Sequence, residues 1–334
     1  MKKVAVVLCN DMHMDIDRAN RLLNHIQKNK DYTITCDYTD ADIILVLTCA
    51  FGSNKMHSMR VLADVRLHCQ KTARVIATGC LVKLNAEELE ALPGIEVMNF
   101  EELLNSFCPK VEKYEAIVPQ NTVIISEGCL HHCSYCVYPQ IVGKYKSKPM
   151  EDILNEIEAM YETESTIFIT GAQETADSGV DLYGKRNFAT LMKEIASKFP
   201  NCKYVIGWFH PDGLTDEVIS VIEEFQNIVG IMLHIQHVDD ELLKAMHRTP
   251  FLAVNSKILR LRSARQDLMI STEVIVGFPG ETEEKFNHLV SYLSKGYFND
   301  IAVASYEAVL GTEAANLPNQ VSEKEKQKGF LGNC

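Results

Sequence analysis

One short segment has cysteines at a spacing that could hold a metal cluster. Cys129, Cys133 and Cys136 form a CxxxCxxC pattern, and the aromatic Tyr135 directly precedes the last of them. Three thiolates this close in sequence can hold three corners of an iron–sulfur cluster, whereas a complete protein ligand set has four. No fourth cysteine stands nearby in the sequence. One iron would therefore lack a protein thiolate, and such an iron can bind and activate a small molecule.

A structural zinc site is the alternative interpretation of these three cysteines. Zinc sites usually pair their cysteines as CxxC and need a fourth ligand. The spacing here departs from that pattern, so it favours the cluster. His131 and His132, between two of the cysteines, are interpreted as loop residues, with contacts that tune the cluster as a lesser alternative.

A second set of cysteines follows apolar segments. Cys9, Cys49 and Cys80 end the runs VAVVLC, IILVLTC and VIATGC. The carboxyl ends of strands line the binding crevice of an open parallel sheet, so these three could converge. Buried cysteine is also common as a small hydrophobic residue, but the regular positions favour convergence. The other cysteines in this part of the chain are interpreted as inert: Cys36, Cys69 and Cys108.

Apolar periodicity predicts two α/β regions. Strands alternating with helices indicate a small parallel sheet near the amino terminus, and six later strand–helix units favour an open, partial (β/α) barrel over the closed eight-unit form. The first region has predicted strands at Lys3–Leu8, Tyr32–Tyr38, Asp42–Leu47 and Ala73–Thr78. The second has them at Thr122–Ser126, Thr166–Thr170, Lys203–Gly207, Gly230–Ile235, Met269–Val276 and Ile301–Ser305.

Composition narrows the class of protein. The 334 residues carry a formal net charge of −12, which disfavours broad nucleic-acid binding through phosphate contacts. The apolar runs are too short to span a membrane, and the amino terminus resembles a first strand rather than a signal peptide. Eleven cysteines without an export signal indicate a reducing cytoplasm and metal ligation.

The motifs together resemble the radical S-adenosylmethionine (SAM) methylthiotransferases. The cysteine loop is typical of the radical SAM superfamily, and the segments LCND, ADIILVLTCAF and ATGCL look like the amino-terminal cysteine motifs of the methylthiotransferases. Within that family, SEGC, AQETADSGVDLYG and the Gln-His pair at 236–237 look like the branch that acts on a ribosomal-protein aspartate. The resemblance implies a flavodoxin-like parallel α/β domain followed by a radical SAM partial (β/α)6 barrel.

The resemblance also implies cofactors and site residues. Cys9, Cys49 and Cys80 would hold an auxiliary 4Fe–4S cluster, while the CxxxCxxC cysteines would hold the 4Fe–4S cluster that binds SAM. SAM would be contacted by residues on several strand ends. These residues are Tyr135, Gly171, Gln173, Glu174, Gln236, Arg248, Ile275 and Gly277.

The implied reaction is methylthio transfer. An unactivated C–H bond does not yield to ordinary acid–base groups, so a radical formed from SAM would abstract the hydrogen, and the auxiliary cluster would carry the methylated sulfur. The amino-terminal domain would then have to cap the barrel mouth. An electron donor such as flavodoxin or ferredoxin and a sulfur donor are expected partners.

The substrate is expected to be a polypeptide side chain, with the aspartate β-carbon favoured, in a ribosomally made peptide or a ribosomal protein. Transfer RNA is one alternative, and a non-catalytic iron–sulfur redox sensor is another. The predicted organisation is an auxiliary-cluster domain at 1–107, a linker at 108–120, the partial barrel at 121–310 and a tail at 311–334. The carboxy-terminal β-barrel that is usual in the family is not expected in the sequence.

Overall fold

The structure, a computed structural model, describes residues 1–10, 13–50, 53–107, 111, 121–161 and 165–326, with the backbone alone at 13, 14, 53 and 54. The chain divides into two compact units, Met1–Gln120 and Asn121–Cys334, and each unit has its own sheet. The predicted linker at 108–120 lies outside the described residues except at 111. None of the helices in the described ranges is both long and apolar enough to cross a bilayer.

Five parallel strands form the sheet of the first unit, in the order β2-β1-β3-β4-β5. This is the flavodoxin-like order, in which the direction of strand addition reverses between β1 and β3. The predicted flavodoxin-like domain is therefore confirmed. The elements are β1 (Lys2–Leu8), α1 (His13–Lys28), β2 (Tyr32–Ile34), β3 (Ile43–Thr48), α2 (Ser53–His68), β4 (Arg74–Gly79), α3 (Cys80–Glu90), β5 (Ile95–Val97) and α4 (Phe100–Phe107).

Alternate residues of the central strand β3 face two different helical layers. Leu45 packs in one cluster with Leu22 of α1, while Ile44 packs in another with Leu62 of α2. All six residues of the strand are buried. Because helices cover both faces, the strand has the uninterrupted apolar sequence IILVLT rather than an alternating one.

The strand predicted over Tyr32–Tyr38 was too long. β2 ends at Ile34, and Tyr38–Asp40 forms a single 3-10 turn. The carboxylate of Asp37 accepts a hydrogen bond from Thr39 N at 2.9 Å and so caps this turn. A side chain that captures a backbone amide in this way competes with strand pairing. The other predicted strands agree with observed ones to within two residues at each end.

Six parallel strands of the second unit follow one another as β6-β8-β9-β10-β11-β12, and β7 adds antiparallel beside β6. β7 and β12 are the two edges, so the sheet stays open and the predicted partial (β/α)6 barrel is confirmed. The elements are β6 (Thr122–Glu127), α5 (Tyr138–Val142), β7 (Lys146–Ser147), α6 (Met150–Met160), β8 (Thr166–Gly171), α7 (Val180–Tyr183), α8 (Phe188–Lys198), β9 (Lys203–Phe209), α9 (Asp216–Glu224), β10 (Ile228–Leu233), α10 (Asp240–Ala245), α11 (Phe251–Ala264), β11 (Met269–Val276), α12 (Glu283–Leu293) and β12 (Asp300–Ser305).

The predicted tail contains a 3-10 turn at Ala314–Asn316. Residues 323–326 are helical, and the tail from 327 onward lies outside the described residues.

Candidate active site

The three cysteines of the first unit lie at one edge of its sheet. Cys9 directly follows β1, Cys49 follows β3, and Cys80 follows β4 as the first residue of α3. These strands are neighbours and run in the same direction, so their carboxyl ends meet at the switch point where flavodoxin-like folds bind ligands. All three side chains are buried. The fold thus gathers three sulfur atoms that are far apart in sequence.

A close approach between two strands sets the positions of Cys49 and Cys80. Thr48 and Gly79, which precede them, are paired in the sheet register. A Cβ at Gly79 would lie only 2.5 Å from the carbonyl oxygen of Thr48, and the φ of Gly79 is +103°. Only glycine tolerates both conditions. The close strand contact therefore brings the two cysteines side by side.

Ser58 on α2 holds the backbone of Cys49. Its hydroxyl accepts from Cys49 N at 2.9 Å and donates to Cys49 O at 3.0 Å. Burial raises the pKa of the Cys9 thiol to about 11, and the nearby Asp15 and Cys49 add to that effect. Thiols must lose their protons to bind metal, and a cationic cluster would supply the compensating charge. Three buried thiols at the carboxyl ends of neighbouring strands therefore fit a cluster.

Arg18 is a residue of this site that the sequence patterns did not single out. Its Nη1 atom donates to Cys80 Sγ at 3.2 Å and lies 3.1 Å from Asp15 Oδ1. Asp15 and Arg18 are three residues apart on α1, so both point to the same part of the site. The signal in the sequence was an acidic and a basic residue three positions apart, shortly after a strand that is followed by a cysteine.

The second cysteine set lies in the loop after β6, the first strand of the barrel. Backbone bonds fix this loop: Cys136 N donates to Cys133 O at 3.0 Å, and Ser134 N donates to Met246 O at 3.2 Å. The hydroxyl of Ser134 donates to Ala245 O at 2.7 Å. The loop is thus tied to the end of α10, more than 100 positions along the chain.

The three thiols of this loop influence one another. Burial raises the pKa of Cys129 to about 12, with smaller contributions from Glu174, Cys133 and Cys136. Burial likewise raises the pKa of Cys136 to about 11. The three cysteines are partly buried and lie within eight residues of one loop. This donor set fits an iron–sulfur cluster with three protein ligands.

Cys133 lies against Arg248 and Tyr135. Arg248 Nη1 donates to Cys133 Sγ at 3.7 Å, and its Nη2 donates to the carbonyl oxygen of His234. The Tyr135 hydroxyl is also hydrogen-bonded to Cys133, and burial raises the pKa of Tyr135 well above its usual value. The structure thus places Tyr135 and Arg248, two of the predicted SAM contacts, beside a predicted cluster ligand.

The segment after β8 is held by backbone contacts. Gln173 Oε1 accepts from Gly128 N at 2.6 Å, directly before the first cysteine of the loop. Glu174 Oε1 accepts from Ala176 N at 2.7 Å and from His210 N at 3.2 Å. A Cβ at Gly171 would lie 1.9 Å from Glu174 O, so this turn requires glycine. Contact of this segment with SAM stays a prediction.

Gln236 has an unusual backbone and an unsatisfied side-chain atom. Its φ is +66°, and its Nε2 donates to Glu273 Oε1 at 3.2 Å. Its Oε1 is buried and has no hydrogen-bond partner among the described residues. An orphaned buried acceptor at a strand end fits a donor of a bound ligand. Gln236 was predicted to lie near SAM, and this atom is consistent with that role.

Ile275 and Gly277 occupy the end of β11 and the turn after it. Ile275 N donates to Gln236 O at 2.8 Å, which joins the two predicted contact points. A Cβ at Gly277 would lie 2.5 Å from Cγ of Lys326, and the φ of Gly277 is +75°. The stem of Lys326 therefore packs against Gly277. Contact of Ile275 and Gly277 with SAM stays a prediction.

His131 belongs to a polar cluster that the sequence interpretation missed. Its ring stacks on that of His210, with centroids 3.7 Å apart and planes at 11°. Its Nε2 lies 3.2 Å from Asp177 Oδ2, and Arg186 Nε donates to the other oxygen of Asp177 at 2.7 Å. Burial acts to raise the pKa of Asp177, but His131 and Arg186 outweigh it, so the pKa is lowered. His131 thus ties the cysteine loop to the segment after β8.

His131, His210 and Asp212 also place their potential ligand atoms within 4.8 Å of one another. They nevertheless do not suit a metal ion. A ligand lone pair lies in the plane of its ring, and an ion in the plane of one stacked ring lies well out of the plane of the other. Asp212 N also donates to His210 Nδ1 at 3.2 Å. This contact occupies the Nδ1 lone pair.

His210 offers a donor at the same strand ends as Gln236. Burial lowers the pKa of His210, so its ring is neutral. Because Nδ1 accepts a hydrogen bond, the proton of the neutral ring is on Nε2. That buried Nε2 has no hydrogen-bond partner among the residues described. One orphaned donor and one orphaned acceptor therefore lie just after two neighbouring strands, β9 and β10.

Comparison with known protein families gives a separate match for each of the two units. The radical SAM superfamily matches residues 123–293, and the uncharacterized protein family UPF0004 matches residues 9–99. The ribosomal protein uS12 methylthiotransferase RimO of Clostridium acetobutylicum is 33% identical, over 90% of this chain and 74% of that protein. The RimO protein of Clostridioides difficile is 32% identical over the same shares of the two chains.

Solved structures support the fold. The radical SAM methyltransferase TsrM from Kitasatospora setae, solved with cobalamin and a 4Fe–4S cluster bound, has a TM-score of 0.63 at 12% identity, covering 91% of this chain and 75% of that one. The cobalamin-dependent radical enzyme OxsB has a TM-score of 0.59 at 9% identity, covering 99% of this chain and 56% of that one. At such identities the likeness shows the fold alone.

The relatives at 32–33% identity extend over 90% of this chain, and the two family matches cover both cysteine sets. They are enzymes, which decides against a non-catalytic sensor. Sulfur and methyl transfer with SAM and two 4Fe–4S clusters is the shared chemistry of this family. The chain belongs to the radical SAM methylthiotransferases, in the branch of the ribosomal protein uS12 methylthiotransferases.

Proposed function

We propose that this enzyme attaches a methylthio group to the β-carbon of an aspartate in ribosomal protein uS12. The similarity to uS12 methylthiotransferases along 90% of the chain carries the proposal. The aspartate itself is proposed from the motifs SEGC, AQETADSGVDLYG and the Gln-His pair at 236–237. A ribosomal substrate would place the enzyme in the cytoplasm.

The proposed ligands are two cysteine triplets, one partly buried and one buried. Cys129, Cys133 and Cys136 would hold the cluster that binds SAM. The auxiliary cluster would be held by Cys9, Cys49 and Cys80. When bound, these groups supply an electron, a radical able to take hydrogen from an unactivated carbon, and a methylated sulfur. The chain itself supplies buried thiols with raised pKa values, which give up their protons on metal binding.

Other residues would hold and orient SAM. The guanidinium of Arg248 beside Cys133 provides a fixed positive charge, which suits an anionic group of a ligand. The orphaned Gln236 Oε1 would accept from a ligand donor, and the orphaned His210 Nε2 would donate to a ligand acceptor. Their burial keeps water from competing for these bonds. Flavodoxin or ferredoxin is the proposed electron donor, and a separate sulfur donor is required.

The relatives give no support to the short precursor peptide that was expected from the sequence, or to transfer RNA. The net charge of −12 also disfavours a nucleic-acid substrate. Of the two polypeptide substrates expected from the sequence, the ribosomal protein is therefore the one proposed.

The test is methylthio transfer under anaerobic conditions. Reconstituted enzyme with SAM and dithionite is incubated separately with uS12, an acidic peptide and transfer RNA. Mass spectrometry should show a gain of one methylthio group on uS12, located on one aspartate, and the C129A/C133A/C136A variant is the control. Cleavage of SAM accompanied by transfer to RNA or the peptide, and none to uS12, would overturn the proposal.

A further inference from the structure

The side chain of Arg18 is largely buried and is held by contacts at the proposed auxiliary site. Its side chain is only 19% exposed, and that of its partner Asp15 only 3%. Nη1 donates to Cys80 Sγ at 3.2 Å and to Asp15 Oδ1 at 3.1 Å. The guanidinium also lies 5.9 Å from the ring centre of Phe100. These contacts fix a permanent positive charge beside one sulfur of the triplet.

A hydrogen bond from a cation to a ligand sulfur changes the cluster that the sulfur holds. It withdraws electron density from the thiolate and favours the more negative state of the cluster. Hydrogen bonds to sulfur and net charge are two of the factors that set iron–sulfur reduction potentials. The low dielectric around buried groups strengthens the effect.

We propose that Arg18 is a positioning residue that raises the reduction potential of the auxiliary cluster through its hydrogen bond to Cys80 Sγ. The inference rests on the proposed function, in which Cys9, Cys49 and Cys80 hold that cluster. Arg18 itself reaches neither SAM nor substrate in this role. It acts only through the thiolate of Cys80.

The test isolates the auxiliary cluster in the full chain by using the C129A/C133A/C136A background. Reconstituted protein should bind about four irons. The midpoint potential is then measured by reductive titration monitored by electron paramagnetic resonance. Arg18→Gln should weaken the preference for the reduced state about tenfold, which lowers the potential by about 59 mV for one electron. Arg18→Lys, which keeps the charge but loses the planar fork, should give a smaller drop.

Arg21 provides the matched control. It lies one turn along α1 and pairs with Glu101 at 2.9 Å, and its guanidinium is 5.1 Å from the same Phe100 ring. Arg21→Gln should leave the potential unchanged. Equal potentials for the Arg18→Gln and Arg21→Gln variants would overturn the inference. So would loss of iron in Arg18→Gln combined with an unchanged potential in Arg18→Lys, because Arg18 would then only hold the site together.

An error in the proposed function would give a different experimental result. If the background variant binds no iron at all, the assignment of Cys9, Cys49 and Cys80 is wrong. If it binds a cluster whose reduction potential is the same with and without the Arg18 substitution, the ligand assignment stands and only the inference about Arg18 fails.

Discussion

Arg248 and Cys133 are 115 positions apart in sequence, yet Arg248 Nη1 lies 3.7 Å from Cys133 Sγ. Arg18 and Cys80 form a similar pair at 3.2 Å in the other unit. In each proposed cluster site, one sulfur therefore faces a guanidinium that the fold holds in place. Replacing either arginine should change the properties of the proposed cluster beside it while all three cysteine ligands remain in place.

Arg248→Lys should slow SAM cleavage about tenfold or more while iron content is retained. Lysine cannot reproduce the two donors that contact Cys133 and His234, and loss of a charge-assisted hydrogen bond costs about 1.5–3 kcal/mol. The measurement is 5′-deoxyadenosine formation with dithionite. Arg260→Lys is the control, since Arg260 is exposed and pairs with Asp216 and Glu223. A wild-type rate in Arg248→Lys would exclude a role for the guanidinium fork.

Iron content should reveal two independent clusters. Wild-type protein should bind about eight irons after reconstitution, and the C9A/C49A/C80A variant about four. That variant should still cleave SAM, because the CxxxCxxC loop is intact. The C36A/C69A/C202A variant, which changes cysteines outside both triplets, should keep about eight. Full iron content in C9A/C49A/C80A would contradict the auxiliary-site assignment.

Gly79→Ala should damage the auxiliary site from a position that binds nothing. The new Cβ would meet Thr48 O at 2.5 Å, and the backbone is at φ +103°. We expect a loss of about 2 kcal/mol or more in the free energy of unfolding and loss of most auxiliary iron. Gly296→Ala is the control, with φ +74° and no heavy atom of the described residues within 4 Å of the added Cβ. It should lose about 1 kcal/mol and no iron. Equal iron in the two variants would refute the structural role of Gly79.

Glu174 should make stability depend on pH near neutrality. Burial raises its pKa from the ordinary 4.5 to about 7. Between these values the folded state holds a proton that the unfolded state has lost, so the free energy of unfolding falls as pH rises through this window. The loss is on the order of 3 kcal/mol.

Urea unfolding at pH 5 to 8, followed by the fluorescence of the single tryptophan, Trp208, measures this dependence. Glu174→Gln should remove most of the slope between pH 5 and pH 7, since glutamine does not ionise. Glu194→Gln, at an exposed position of α8, is the control and should keep the wild-type slope. An unchanged slope in Glu174→Gln would show that another group causes it.

Contacts between distant residues were not visible in the sequence. The Arg18–Cys80 bond spans 62 positions, and the stacked rings of His131 and His210 come from different loops. The raised pKa of Glu174 depends on burial, which exists only once the surrounding elements have packed. The 3-10 turn capped by Asp37 was missed for a local reason, because side-chain capture of a backbone amide two residues away outweighed β propensity there.

The sequence by itself determined the parallel strands of both sheets and the proposed cluster ligands. Strands such as IILVLT are contiguous apolar runs, and the CxxxCxxC spacing is local, so both are readable without coordinates. The tertiary structure decided which charged groups stand beside the sulfurs. It placed Arg18 at Cys80 and Arg248 at Cys133, because desolvation and hydrogen bonding depend on neighbours that only packing brings together.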